Sequence, residues 1–426
     1  MKINKINTNK SWSGELFLYL YSKKKIIMKG KQLLNQTNGI VANTINHTAK
    51  VLKKSKLEGS ILEKLYEFSS SIPDFRRIEK GNIRHRLGDI IMLLILGRVS
   101  NCVSRAEIIE FNKHNLKSFR KLGMLANGIP SEATLCRMEE GIDDQAMANQ
   151  LQVFTETFHE ELLGMCCAQE IICIDGKAER GTVLKNGRNP DIVSAHSFNT
   201  DITLATEVCE EKSNEIKAVP LLIDKIDISG KIVTADAMSM QKDIIDKIRE
   251  KSGDFIIELK SNQRSLRYGV EDKIKELSPV YSYYGEPELG HGRIETRNYR
   301  VFDGTDLIAN KEKWNGNLTV IEYECETVKK STGSCTAEKR LYVTSLPANT
   351  PRLGTPVRNH WSIESMHWGL DRNLLQDKIK RKSARPARNL DTIQRIVYFV
   401  FSIWRRRRKK KSDKKRAWQN LLDMFH

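Results

Sequence analysis

The chain has 426 residues, enough for two or three domains with full-sized cores. Lys and Arg outnumber Asp and Glu by 71 to 53, giving a net charge of +18 and a pI near 9.4, which points to a polyanionic partner, most often nucleic acid. Apolar runs such as "IIMLLIL" (90–96) and "IVYFVFSIW" (396–404) fall short of the roughly 18 residues a membrane span needs, the eight Cys form no CxxC pair, and "LFLYLY" is too short for a signal peptide, so a cytoplasmic protein with no membrane partner, zinc ribbon or disulfide framework is expected.

Residues 1–55 are polar, rich in Asn, Lys and Thr, and lack sustained periodicity; they read as an arm with no assigned role, with Met28 a second possible initiator. From 56 to 163 the period is helical, in "ILEKLYEF", "GDIIMLLILGRV", "RAEIIEFNKHNLKSF" and "DDQAMANQLQVFTETFHEELL", with apolar residues three and four apart. The connecting "IPDFRRIEKGNIRHR" gathers Arg76, Arg77, Lys80, Arg84, His85 and Arg86, a basic edge on a predicted helical domain.

After Ala168 the pattern changes. "EIICID", "DIVSAHSF" and "ITLATEVCE" read as strands, "NEIKAVPLLIDKI" as a helix, "KIVTAD" as a strand, "QKDIIDKIREK" as a helix and "DFIIELK" as a strand. Three strands in a meander, followed by strands joined through helices, predict an α/β fold with a ribonuclease H-like mixed sheet flanked by helices. In such sheets functional residues gather beyond strand ends. Residues 264–345 read as a β-rich insertion, helical character resumes near Pro356, and the catalytic segment is expected to span 168–404. The tail 405–426 opens on seven consecutive cations, whose mutual repulsion a polyanion would relieve.

Asp175 and Asp236 each end a predicted buried strand, in "ICIDGK" and "VTADAM". On neighbouring strands their carboxylates repel unless a cation or a shared proton intervenes, and such oxygen-rich sites suit Mg²⁺ or Mn²⁺. Glu364, in "NHWSIESMHWGLD", supplies a third carboxylate. Asp175 is expected to bridge two ions, with Asp236 and Glu364 completing one side each, as ions about 4 Å apart suit phosphodiester chemistry. In a helix His360, Glu364, His367 and Asp371 share one face. The di-iron reading needs a second helical Glu-x-x-His, and the zinc-hydrolase reading needs His four apart where here they are seven. Trp361 and Trp368 are expected in the core.

The blocks "ICIDGKAERG", "IVSAHS", "VTADAMSMQKDIIDKIREKSGDFIIELKSNQ", "GHGRIETR" and "VRNHWSIESMHWGLD" together resemble insertion-sequence transposases of the DDE superfamily, specifically the ISAs-type, H-repeat-associated group. Upstream, "IPDFRRIEKGNIRHRLGDIIMLLILGRVSNC" and "PSEATLCRM" are similar to that group's N-terminal associated domain. The resemblance implies metal-dependent strand cleavage at element ends and 3′-hydroxyl strand transfer into target DNA, with Asp175, Asp236 and Glu364 as the catalytic trio and two Mg²⁺ or Mn²⁺ as cofactors. Ser365 stands where the group usually has Asn, "RNLLQDKIKRK" replaces its small apolar-acidic pattern, and Val357, His360 and Asp371 occupy positions where related families carry Tyr, Arg and Lys. DNA contacts are expected from Lys177, Arg180, Lys260, Asn262, Gln263, His291, Arg293, Arg358 and His360. Pairing two element ends implies a homo-oligomer on DNA. The competing reading is a transposase remnant that binds DNA without cutting it.

Overall fold

The computed structural model describes residues 61–164, 166, 168–209, 215–290, 292–305, 307–308, 311–314, 316 and 318–407. The expectations for 1–55, for His291 and for 408–426 lie outside them. The described chain forms two compact units, one of residues 61–164, Ala178–Pro190 and 366–407, the other of Cys166–Lys177 and Asp191–Ser365.

The elements begin with helices α1 (Ile61–Ser71), α2 (Leu87–Val99), α3 (Arg105–Lys121), α4 (Glu132–Gly141) and α5 (Asp144–Leu163). Then come β1 (Ile171–Ala178), β2 (Asp191–Ser197), β3 (Ile202–Cys209), α6 (Glu215–Asp224), β4 (Ile232–Ala235), α7 (Lys242–Glu250) and β5 (Asp254–Leu259). Next are α8 (Arg264–Lys273), β6 (Tyr281–Tyr284), β7 (Glu288–Gly290), β8 (Arg293–Asp303), β9 (Thr319–Lys329) and β10 (Cys335–Thr344). Last are α9 (Thr355–Asn359), α10 (Trp361–Trp368), a π-turn at Gly369–Asn373 and α11 (Ala384–Arg407).

In the helical unit α2 is buried at every position but Gly88, as a helix apolar on all sides must be. Helix α3 starts in a capping box, where the Glu107 N–H donates to Ser104 Oγ at 3.1 Å and the Ser104 N–H to Glu107 Oε2 at 3.0 Å. Asp143 caps α5 by accepting from the Ala146 N–H at 2.7 Å. Helix α11, which lies at the end of the expected catalytic segment, packs on the N-terminal helices. Phe399 sets its ring 5.5 Å from Phe154 and 5.0 Å from Phe158, and Asn389 donates to the carbonyls of Glu139 and Ile142. Glu139 itself, buried on α4, accepts from Arg105 and Arg381 at 2.6 and 2.9 Å.

The sheet unit holds ten strands in the order β3-β2-β1-β4-β5-β10-β9-β8-β6, with β7 also on β8. Strands β1, β4 and β5 run parallel, and β2 and β3 antiparallel. This is the expected ribonuclease H-like order. The strands within 264–345 do not form a separate body: β10 pairs antiparallel with β5, Leu341 opposite Leu259, and β9 and β8 continue outward. A β5 edge left open would expose unpaired N–H and C=O groups, and β10 covers it. No helix among the described residues is long and apolar enough to cross a membrane.

Candidate active site

The pairing of β1 with β4 puts Ile174 beside Ala235. Asp175 and Asp236 are the next residues on these two strands, so their carboxylates start from adjacent backbones about 4.8 Å apart. Strand β4 stops there because Asp236 turns the chain: its Oδ1 accepts the Met238 N–H at 3.1 Å and caps a short 3₁₀ turn. Asn262 and Gln263 brace that turn from the end of β5, donating to the Ala237 carbonyl at 2.5 Å and the Met240 carbonyl at 2.8 Å.

Glu364 reaches the same strand ends because α9 and α10 are pinned to them. The His360 Nδ1 pairs with Thr234 Oγ1 at 3.1 Å, and Thr234 lies two residues before Asp236. Buried Cys173, two residues before Asp175, lies 3.4 Å from the Asn359 carbonyl and 3.5 Å from Ser362 Oγ. Glu364 follows His360 by one helical turn on the same face. Trp361, half-buried, sets its ring edge-on to Tyr323 at 6.4 Å and under the Arg340 guanidinium at 5.6 Å.

The electrostatics bear the marks of crowded acids. Burial first, and Asp175 second, push the Asp236 carboxyl above its usual value, while the N–H groups of Ser239 and Met238 pull it back. Partial burial and then Asp175 raise Glu364 as well; its side chain stays accessible, so solvent screens that effect. His360 is pushed below the usual imidazole value by burial, with Asp175 working against it, which leaves a neutral ring at neutral pH.

A fourth acid was not foreseen from the sequence. Glu215 opens α6, and a side chain at Gly176, the residue after Asp175, would collide with its carboxylate. Burial, then Asp236, Asp175 and Asp191, all raise Glu215, and no cation offsets them. In the sequence it is one Glu in a first helical turn, where the helix dipole favours acids in any protein, so nothing singled it out.

Hard carboxylate oxygens near one another, with Lys260 and Arg340 offsetting their charge only in part, are the donor chemistry that a divalent ion satisfies. Among the described residues, however, no three His, Cys, Asp or Glu side chains are gathered into a ready coordination cage.

The other expected contacts divide. Lys177 is buried and engaged within the protein, which corrects the expectation of a phosphate contact. Asn262 and Gln263 spend their amides on the turn after Asp236, and His360 spends Nδ1 on Thr234. Lys260 pairs with Glu258 at 2.9 Å, Arg293 with Glu295 at 2.6 Å and Arg358 with Glu288, so each already has an acidic partner. Arg180 is exposed but belongs to the helical unit, not to the unit that holds the carboxylates. Trp368, expected in the core, is 58 % exposed; the seven-residue spacing repeats the face of Trp361 but not its neighbours. His367 is buried while Glu364 is exposed, and the π-turn from Gly369 breaks the helical period before Asp371. The continuous polar face predicted for 360–371 therefore does not form.

Residues 171–400 match the transposase DDE domain family, and residues 66–155 match the domain associated with it. The chain belongs to the DDE transposase family. It is 31% identical over 345 residues to "Putative transposase YncI" of Escherichia coli O157:H7, covering 79% of this chain and 86% of that one. To the "H repeat-associated putative transposase YhhI" of Escherichia coli K12 it is 32% identical over 356 residues, covering 80% and 91%. Among solved structures, a piggyBac transposase synaptic complex with hairpin DNA matches at a TM-score of 0.46 and 12% identity, covering 86% of this chain and 79% of that one.

Proposed function

We propose that this DDE transposase cuts phosphodiester bonds at the ends of an insertion sequence and joins the freed 3′-hydroxyls to target DNA, with Asp175, Asp236 and Glu364 as ligands of two Mg²⁺ or Mn²⁺ ions. The observation that supports the reading is that Asp175 and Asp236 follow paired residues of neighbouring strands and that Asp175 raises both Asp236 and Glu364. Family membership supplies the class of reaction, and the +18 charge suits a DNA substrate.

Bound there, divalent ions would supply positive charge for the phosphoryl oxygens and ease deprotonation of an attacking water or hydroxyl. The chain's own residues supply position. Asp175 raises both Asp236 and Glu364, which fits a shared role for the three. The cap to Met238 and the amides of Asn262 and Gln263 fix the Asp236 turn. Thr234 holds a neutral His360, and Cys173 with Ser362 seats the helix that carries Glu364. Such holding counts, since misplacing a reactive group by about 1 Å costs on the order of 100-fold.

The distinguishing test is strand transfer. Duplexes ending in the element's terminal sequence with a free 3′-hydroxyl are incubated with the protein, Mn²⁺ and supercoiled target plasmid. Covalent joining of duplex to plasmid supports a transposase. Nicking without joining would reduce the chain to a nuclease, and binding alone to a remnant.

A further inference from the structure

The helical unit has a cleft of about 510 Å³ that the carboxylate site does not use. Arg76, Arg77, Arg84, His85 and Arg137 line it, and no acidic residue does. Arg76 is committed to shaping the wall: its guanidinium grips Asp74 at 2.8 and 2.6 Å and donates to the His85 carbonyl at 2.9 Å. Asn127 donates to the Arg84 carbonyl at 2.7 Å, fixing the backbone from which that side chain projects. The other three arginines are exposed. Arg77 and Arg84 have no acidic partner among the described residues, and Arg137 touches only Thr134 Oγ1, at 3.3 Å.

One further feature favours an anion. Helix α4 opens at this cleft, where Ser131 caps it by accepting the Thr134 N–H at 3.3 Å, and a helix N-terminus attracts negative charge. His85, only 9% exposed, lines the same wall. The sheet unit shows the contrast. Its cleft of about 580 Å³ also carries many cations, but there Lys260 pairs with Glu258, Arg267 with Glu271, Arg300 with Glu322 and Arg340 with Glu338. Basic side chains neutralised within the protein do not call for an outside anion.

We propose that the cleft between the 76–86 loop and the start of α4 binds the phosphodiester backbone of duplex DNA, as a site separate from the carboxylates. Three guanidiniums without acidic partners around 510 Å³ carry more positive charge than the roughly −2 of one free phosphate, and a run of phosphates at fixed spacing can meet each of them. The contact is to backbone, so it positions DNA without reading its sequence. It does not require the carboxylate site to be active.

The test uses full-length protein in EDTA, where no cutting interferes, and fluorescent duplexes of terminal and of scrambled sequence at increasing salt. Comparison is between wild type, the triple variant Arg77→Gln/Arg84→Gln/Arg137→Gln, and Arg300→Gln from the neutralised cleft. Each phosphate contact adds about 0.9 to the slope of log affinity against log salt, so the triple variant should lose roughly 2–3 from it on both duplexes, while Arg300→Gln loses little. If the triple variant fails to fold, as read by its thermal melt, the single variants Arg84→Gln and Arg137→Gln should each lose about 1. An unchanged slope in folded variants overturns the proposal. So does a loss confined to the terminal sequence, which would mean base reading, or a preference for single-stranded RNA over the duplex.

Discussion

Asp236→Asn should make the metal-free protein more stable, not less. The β1–β4 register places Asp175 and Asp236 side by side. Strand spacing sets their backbones about 4.8 Å apart; unit charges at about that separation and an effective dielectric of about 20 would repel by roughly 3 kcal/mol, and partial exposure of both reduces this to about 1–2 kcal/mol. Asn keeps the cap, because its carbonyl oxygen can still accept the Met238 N–H. The gain should appear as a melting temperature about 2–8 °C higher in EDTA at pH 7.5. The pH sign follows from a folded-state value raised above the ordinary 3.8. The folded state then holds its proton more tightly than the unfolded chain. Wild-type stability therefore falls as pH rises from about 3.8 through the folded-state value, and the variant's advantage opens over that window and closes below it. Saturating Mn²⁺ should reverse the order, since ligand at 100 times its Kd stabilises wild type by about 2.7 kcal/mol and the variant by far less. Differential scanning calorimetry with and without Mn²⁺ reads both effects. A variant that melts lower than wild type in EDTA would refute the idea that the acids strain one another.

Glu215→Gln should weaken Mn²⁺ binding about tenfold, read by titration calorimetry, with no loss of metal-free stability; unchanged affinity would place Glu215 outside the site. Gly176→Ala should act in the same direction by pushing the Glu215 carboxylate aside, and an unperturbed melt would show that the fold is untouched. Glu139→Ala leaves Arg105 and Arg381 without their buried anion and should cost about 3–5 kcal/mol in urea unfolding; a loss under 1 kcal/mol would mean that the arginines find other partners. Thr234→Val removes the partner of His360 and should lower the turnover of DNA cleavage about tenfold while leaving DNA affinity unchanged; equal turnover would make that hydrogen bond incidental.

The strands and helices from Ile171 to Leu259 were legible because each carries its own short-range pattern: a β-prone run in β1, a buried run in β4, apolar spacings of three and four in α7. The three acids stand out as candidates for a related reason, as each sits in a distinctive block at a strand end or on the helix of residues 361–368. What escaped depended on partners distant in the chain. The β-rich insertion at 264–345 is legible as such, but nothing local in "RLYVTSL" says that Leu341 will lie opposite Leu259 and so extend the main sheet. Helix α11 follows the catalytic blocks in sequence, but its Phe399 and Asn389 find partners on α5 and α4. Lys177 and Arg293 look alike as cations near a motif, and only burial and pairing distinguish them. Glu215 needed both the neighbouring acids and the absent side chain of Gly176 to be noticed.

The most direct test of the central claim uses the DNA that flanks this gene. Purified protein is incubated with it in Mg²⁺ or Mn²⁺, beside the Asp236→Asn variant, and strand breaks are mapped to the nucleotide. Breaks at the inverted ends that require metal and vanish in the variant are the predicted result. Breaks that persist in the variant, or that ignore the ends, would contradict a catalytic role for Asp175, Asp236 and Glu364 at this site.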